Sequence, residues 1–227
     1  MRPKIAVALP ARTSASALRM IRSASRLGAD LAEIRLDYLD IGQSIKKIVQ
    51  SRELPLIATF RSSRNGGAGS LSEPKRVELL ISTAKTGFDY VDIELETRNL
   101  NNVVRQLHSA GVKTIVSHHD FKRTHSQTEL RRVLQLCRRS GATISKLVTT
   151  VKSVEDNLHL LDLTREESKK GEIVCFGMGE LSVESRVFSP MYGAAFTFAS
   201  LDDGIAVAPG QISVSGMRHI YKEMGYT

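Results

Sequence analysis

A lysine stands in the middle of an apolar, strand-like run, and its chemistry there is the first question that the sequence raises. Lys146 lies within residues 142–149, and no Asp or Glu occurs within eight positions on either side of it. Burial disfavours the ammonium form of a lysine and lowers its pKa, which yields a neutral amine able to attack a carbonyl carbon. Two simpler interpretations stay open at this point: the side chain reaches out to water, or it forms an ion pair.

Two adjacent histidines end the run that precedes the lysine. Residues 117–121 read Ser-His-His-Asp-Phe. Neighbouring side chains on a strand point to opposite faces, so His118 and His119 are poor partners for a single metal ion. A histidine beside Lys146 on the next strand is instead placed to move protons around a lysine imine, with a structural role as the alternative.

Charged residues alternate along two further runs. They are Glu33, Arg35 and Asp37 in the first run, and Asp92, Glu94 and Glu96 in the second, where Glu96 already falls in the loop. Alternation places each set on one face of its strand. Such charges are costly inside a fold unless they pair with one another or with a polar ligand.

Other polar candidates follow other runs. Arg61 precedes a glycine-rich segment, residues 62–70, which lacks the P-loop pattern and is interpreted as a mobile lid or a flexible loop. Arg186 is suited to bidentate binding of a carboxylate, and Gln211 follows the last strand-like run.

A sequence pattern repeats along the chain and contains these residues: an amphipathic stretch, a glycine, then a short apolar run. The strand-like runs are residues 4–9, 31–36, 54–60, 90–95, 112–116, 142–149, 172–176 and 196–200. Alternation of eight strands with helices predicts an α/β fold, a (β/α)8 TIM barrel, and no internal boundary divides residues 1–227, so we expect a single domain. A doubly wound open sheet is the alternative, but no glycine fingerprint follows the first run. In a barrel the polar residues above lie at the C-terminal ends of the strands, where active sites are found.

Composition narrows the class of protein. The 227 residues carry a net charge of +8, but the basic doublets suit solvated helix faces and aromatic residues are only 5%, so we expect no nucleic-acid partner. No run approaches the roughly 20 apolar residues that span a bilayer, so we expect no membrane association and a cytoplasmic location. Cys137 and Cys175 are far apart and predict neither a disulfide framework nor a zinc site.

Taken together, these residues resemble those of type I 3-dehydroquinate dehydratases, a family of Schiff-base barrels. The resemblance rests on the order and spacing of residues 33–37, 59–62, 92–95, 117–121, 145–146, 178, 185–186 and 208–211. It implies a reaction without metal or cofactor that converts the small molecule 3-dehydroquinate to 3-dehydroshikimate in the shikimate pathway. It further implies that Lys146 forms the imine and that His119 is the general acid and base. The substrate-binding residues that it implies are Glu33, Arg35, Arg61, Arg186 and Gln211.

Some positions depart from this resemblance. Ala8, Asn65 and Val207 stand where some members carry polar groups, and His118 stands where an asparagine is often found. These departures put individual substrate contacts in question, and they motivate one alternative, a barrel that binds without catalysis. A second alternative is another class I Schiff-base enzyme of the aldolase type. Members of the family are often homodimers, on which the sequence itself gives no indication.

Overall fold

The computed structural model describes residues 2–202 and 210–226, and within them parallel strands alternate with helices. The strands are β1 (Ile5–Leu9), β2 (Leu31–Arg35), β3 (Leu56–Thr59), β4 (Tyr90–Glu94), β5 (Lys113–Asp120), β6 (Ile144–Thr150), β7 (Ile173–Met178) and β8 (Thr197–Ala199). The helices are α1 (Ser14–Arg26), α2 (Ile45–Gln50), α3 (Glu73–Ala84), α4 (Leu100–Ser109), α5 (Gln127–Arg139), α6 (Val154–Glu167), α7 (Val183–Phe188) and α8 (Val214–Glu223). Each apolar run found in the sequence forms one of these strands.

Local signals set the helix ends. Ser126 and Glu129 form a capping box at the start of α5, in which the Ser126 hydroxyl accepts from the Glu129 backbone N–H while the Glu129 carboxylate accepts from the Ser126 backbone N–H. Gly141, just after α5, has φ +90°, a conformation that closes a helix and that glycine adopts without steric cost. The glycine in each repeat of the sequence pattern therefore ends a helix and lets the chain turn into the next strand of the barrel.

The strands form one eight-stranded parallel sheet in the order β7-β6-β5-β4-β3-β2-β1-β8. The two ends of this sheet meet between β7 and β8, where the backbone N–H of Ala195 donates to the carbonyl oxygen of Ile173 at 2.8 Å. Inside the same seam the rings of Phe176 and Phe198 lie 6.0 Å apart. The predicted (β/α)8 barrel is thus confirmed, with a narrow seam between its first and last elements in space.

Strand alternation divides the core into two layers. On β6, Ile144 and Val148 belong to a cluster inside the barrel, whereas Leu147 packs outward against helices α5 and α6. Lys146 has the same parity as Ile144 and Val148, so its side chain points into the barrel. Within residues 2–202 and 210–226, no helix combines the length and the apolar character needed to cross a bilayer.

Candidate active site

Lys146 is enclosed in the barrel. Its side chain lines a cavity at the C-terminal ends of the strands, and only 4% of the residue is exposed. The interpretation in which this lysine reaches bulk water is therefore wrong. Burial of an ammonium group requires a compensating charge nearby.

Asp92 on β4 supplies that charge. The Nζ of Lys146 donates to Oδ2 of Asp92 at 3.0 Å, while Oε1 of Glu33 lies 3.8 Å from the same Nζ. The ring of Phe198 lies under the ammonium group, with its centroid 4.2 Å from Nζ. The lysine is thus both buried and ion-paired, and its proton must leave before the amine can attack a carbonyl carbon.

Asp92 serves two cations at once. Its Oδ1 lies 2.9 Å from a guanidinium nitrogen of Arg61 and accepts a hydrogen bond from the Ser117 hydroxyl at 2.6 Å. Burial alone would raise the pKa of the Asp92 carboxyl, but the charges of Arg61 and Lys146 and the hydrogen bond from Ser117 outweigh it and hold that pKa well below its usual range. The carboxylate is therefore charged at neutral pH.

The charges continue outward from Arg61 through the barrel wall. Arg61 lies 3.9 Å from Glu94, and Glu94 in turn pairs with Arg76 of α3 at 2.6 Å. Glu94 also accepts from the backbone N–H of Ser62 at 2.8 Å, so it fixes the first residue after Arg61. Lys146, Asp92, Arg61, Glu94 and Arg76 form a charge ladder of alternating sign from the barrel axis to an outer helix.

Glu33 and Arg35 occupy the inward face of β2, as alternation predicts. Oε1 of Glu33 accepts from the Thr59 hydroxyl at 2.8 Å. The guanidinium of Arg35 forms a bidentate pair with Asp37, with N–O distances of 2.9 and 2.6 Å. Both Glu33 and Arg35 line the cavity that contains Lys146.

The two histidines diverge, as expected for neighbours on a strand. His119 lines the cavity, whereas His118 points outward and places its Nδ1 2.5 Å from Oε1 of Glu96. Burial lowers the pKa of His119 well below 6.5, and the charges of Arg61 and Lys146 lower it further against the opposing effect of Asp92. Its Nδ1 is buried without a hydrogen-bond partner among the described residues. His119 is therefore a neutral imidazole facing the lysine.

Arg186 of α7 is the most unusual charge in the cavity. Only 1% of it is exposed, and its guanidinium donates to the carbonyl oxygens of Gly177 at 3.0 Å and Phe198 at 3.4 Å. Its Nε is buried without a partner, and no carboxylate of the described residues forms an ion pair with it. Burial lowers the pKa of Arg186 to about 10, which still leaves it charged near neutral pH. A buried cation in this state is suited to an anionic ligand.

The remaining wall of the cavity combines apolar side chains with the residues of the glycine-rich segment. Its members are Ala8, Asn65, Gly66, Phe121, Val148, Phe176, Met178, Phe198 and Gln211. The cavity thus brings Lys146 and His119 together with the five residues that the family resemblance implies for substrate binding, Glu33, Arg35, Arg61, Arg186 and Gln211. Two of the positions that depart from the family resemblance, Ala8 and Asn65, line this cavity, whereas Val207, with Ala208 and Pro209 of the 208–211 motif, lies outside the described residues.

Sequence reasoning missed the role of two residues. In the sequence, Asp92 stands out only as a member of an alternating run and of the motif at residues 92–95, with no role assigned to it, and Phe198 only as part of a strand. The strand register contains the missing signal, because Asp92 on β4 and Lys146 on β6 both flank the β5 segment around Ser117. Pairing of β4 with β5 and of β5 with β6 brings the two side chains to one level of the barrel.

Comparison with known proteins adds an independent observation. The sequence profile of the family described as type I 3-dehydroquinase matches residues 5–227. A 3-dehydroquinate dehydratase of Dehalococcoides mccartyi is 38% identical over 199 residues, which cover 88% of this chain and 88% of that protein. The crystal structure of 3-dehydroquinate dehydratase from Geobacillus kaustophilus superposes with a TM-score of 0.90 at 27% identity, covering 99% of this chain and 92% of that one. The type I enzyme from Clostridium difficile, solved with covalently modified comenic acid, superposes at 0.88 with 28% identity, covering 98% and 92%.

Proposed function

The chain belongs to the type I 3-dehydroquinase family, and we propose that Lys146 and His119 carry out its reaction, in which 3-dehydroquinate loses water to give 3-dehydroshikimate. This reaction is a hydro-lyase step of the shikimate pathway, as the names of the related proteins imply. The observation that carries the assignment of residues is a buried lysine beside a neutral imidazole, in a cavity that also holds an arginine with no carboxylate partner among the described residues.

The lysine provides covalent catalysis. Nζ of Lys146 attacks the C3 carbonyl carbon of the substrate, the carbonyl oxygen leaves as water, and a C=N bond forms. The imine withdraws electrons and acidifies the protons on C2. His119 takes up one C2 proton and delivers a proton to the C1 hydroxyl, which departs as water, and the C1–C2 double bond forms. Hydrolysis of the imine then releases the product and regenerates the amine.

His119 manages the protons of these steps. A neutral imidazole accepts a proton from the Lys146 ammonium, which lets the amine attack, and it later returns a proton to the departing hydroxyl. The lowered pKa of His119 supports this role, because it keeps the ring unprotonated at neutral pH. Asp92 and Glu33 hold the nitrogen of Lys146 in place beside it.

The charge distribution fits a carboxylic acid that carries several hydroxyl groups. Arg186 would bind the substrate carboxylate, since it is a buried cation without a carboxylate partner in the described part of the chain. Glu33, Arg35 and Arg61 would orient the ring hydroxyls, and Gln211 would add a hydrogen bond. The apolar side chains opposite them offer a surface for the carbon ring.

A trapping experiment tests the assignment. Sodium borohydride added with 3-dehydroquinate should reduce the imine and add one substrate-derived mass at Lys146. Lys146→Ala should lose the adduct and roughly three or more orders of magnitude in turnover, the scale of removing a covalent nucleophile. Lys152→Ala removes an exposed lysine beside the mouth and serves as the matched control, with full trapping expected. An unlabelled Lys146, or an activity insensitive to borohydride, would refute the proposal.

The same assay separates the two alternatives. An aldolase-type barrel would turn over phosphorylated sugars in preference to 3-dehydroquinate, and a binding barrel would retain 3-dehydroquinate without producing the absorbing enone. The cytoplasmic location, the homodimer, the absence of a nucleic-acid partner and the extent of the domain over residues 1–227 stay predictions. Light scattering coupled to size-exclusion chromatography measures the assembly directly.

A further inference from the structure

The glycine-rich segment is a folded lobe at the mouth of the cavity, which we term the mouth loop (residues 62–69). Its two ends meet in a bridge between Ser62 and Gly69, and the backbone N–H of Gly67 donates to the carbonyl oxygen of Ser62 at 2.9 Å. Asn65 and Gly66 at its tip line the active-site cavity. The mouth loop thus forms part of the binding site in this conformation.

Glycine allows the mouth loop to fold directly onto the end of β3. A Cβ atom on Gly67 would lie 2.1 Å from the carbonyl oxygen of Arg61, and one on Gly69 would lie 2.3 Å from the ring of Phe60. Neither distance is tolerable, so both positions require glycine in this arrangement. The segment that the sequence marks as a lid or flexible loop therefore has a specific closed conformation.

Asp37 connects this closed conformation to the substrate-binding arginine of β2. Its side chain is 0% exposed. Oδ1 accepts from Arg35 Nε at 2.9 Å and from the backbone N–H of Arg61 at 3.3 Å. Oδ2 accepts from an Arg35 guanidinium nitrogen at 2.6 Å and from the backbone N–H of Ala68, within the mouth loop, at 3.0 Å. Each oxygen thus holds one guanidinium N–H and one backbone N–H.

We propose that Asp37 is a positioning residue that couples closure of the mouth loop to the orientation of Arg35 toward the substrate. The coupling rests on the proposed function, since it assumes that Arg35 touches 3-dehydroquinate. Opening the mouth loop removes the Ala68 N–H from the buried carboxylate of Asp37. Moving Arg35 removes the positive charge from that same carboxylate. Either change weakens the contact that holds the other. Linkage then requires that a ligand held by Arg35 favours the closed loop and that the closed loop favours the ligand.

Asp37→Asn is the variant that tests this coupling, and Asp40→Asn is its matched control. Asp40 lies three positions further along the chain, and its exposed side chain pairs with Arg12 at 3.1 Å. Hydrogen–deuterium exchange over residues 62–69 is measured with and without 3-dehydroshikimate, beside KM and kcat for 3-dehydroquinate. We expect ligand to protect the mouth loop in the unmodified protein and in Asp40→Asn. In Asp37→Asn we expect the protection to disappear and KM to rise about tenfold or more, the scale of a lost charge-assisted hydrogen bond.

A second variant keeps the test decisive if Asp37→Asn folds poorly. Ala68→Pro removes the backbone N–H that donates to Asp37 and leaves the side chains of Asp37 and Arg35 unchanged, although it also restricts the backbone at residues 67 and 68. It should likewise loosen the mouth loop and raise KM. A loosened loop with KM within twofold of the unmodified protein would overturn the proposal, as would undiminished ligand protection in Asp37→Asn. Borohydride trapping at Lys146 is read separately, so failure of the proposed function is distinguishable from failure of the coupling.

Discussion

Asp92 and Lys146 form an ion pair of 3.0 Å inside the barrel, and the same carboxylate lies 2.9 Å from Arg61. One anion therefore balances two buried cations. Removing the anion leaves Lys146 and Arg61 with only their more distant carboxylates, Glu33 at 3.8 Å and Glu94 at 3.9 Å. Removing Lys146 instead leaves Asp92 with Arg61 and with the hydroxyl of Ser117. The two members of the pair are thus unequal in what they contribute to folding.

We expect Asp92→Asn to destabilise the protein more than Lys146→Met does. Loss of one partner of a buried pair costs about 3 to 5 kcal/mol because the remaining charge loses its nearest compensation, and here two cations lose theirs. Lys146→Met should cost less than about 2 kcal/mol, since the methionine fills similar space and Asp92 keeps its other contacts. Urea unfolding of both variants at pH 7 measures the difference, and equal costs would show that Arg61 does not share the carboxylate energetically.

The two histidines should differ sharply when each is replaced by asparagine. His119→Asn should lower kcat by roughly two to four orders of magnitude, the range for loss of a general acid and base. His118→Asn should retain kcat within about threefold, because His118 pairs with Glu96 outside the cavity. Steady-state assays of the two variants side by side decide which imidazole is catalytic, and a larger loss in His118→Asn would reverse the assignment.

The lowered pKa of His119 predicts where activity falls as the solution becomes acidic. Because the folded protein holds this pKa well below 6.5, the neutral base persists as pH falls through 6.5 and disappears only at more acidic pH. The free energy of unfolding should decrease over the same pH range. As pH falls below 6.5, the unfolded chain binds a proton at His119 that the folded protein does not bind, and this proton uptake favours unfolding. A profile of kcat/KM from pH 4.5 to 9 measures the loss of activity on the acid side. If the inflection of this acid limb lay above 6.5, it would contradict the prediction.

Arg186 should matter for binding far more than for folding. Arg186→Met should raise KM for 3-dehydroquinate roughly 10- to 100-fold, the range for losing a hydrogen-bonded charge pair with a carboxylate. The free energy of unfolding should change by less than about 1 kcal/mol, because the variant also removes a buried charge that lacks a carboxylate partner within the described residues. Arg186→Lys, which keeps the charge without the bidentate geometry, should recover only part of the affinity. An unchanged KM in Arg186→Met would show that the substrate carboxylate does not bind at this end of the cavity.

Glu167 at the end of α6 should show a stability effect that depends on pH. Its buried carboxylate accepts from Lys170 at 2.7 Å and pairs with Arg138. Burial alone would raise the pKa of Glu167, but these contacts outweigh it and lower that pKa below 4.5. Glu167→Gln should therefore cost about 1 to 2 kcal/mol at pH 7, and the difference should shrink as pH falls below 4.5. Glu166→Gln, at an exposed neighbouring carboxylate, is the control, and a cost independent of pH would contradict the prediction.

The sequence predicts the barrel well because its signals are local. Glycine at a helix end, as at Gly141, and alternation of side chains along β6 are properties of a few consecutive residues. They determine that Lys146 faces inward. The same locality accounts for the correct separation of His118 from His119 on β5.

The charge partners could not be predicted in the same way. Asp92 lies 54 residues from Lys146 and Arg76 sits on an outer helix, so their pairing depends on strand register and helix placement. The mouth loop has the same difficulty, because glycines predict freedom of the backbone equally for a flexible segment and for one that packs closely. Only the positions of Arg61 and Phe60 beneath it show that Gly67 and Gly69 serve close packing.

The charge ladder from Lys146 to Arg76 has a consequence for enzyme engineering. A nucleophilic lysine and an imidazole base copied into another barrel would arrive without Asp92, Arg61 and Glu94, and the lysine would then be an uncompensated charge in a closed interior. Transferring the catalytic lysine to another barrel therefore requires transferring its charged partners as well, which lie in both the strand layer and the helix layer of the fold. The smallest set of residues that would have to be transferred together extends from Lys146 at the barrel axis to Arg76 on the packed face of α3.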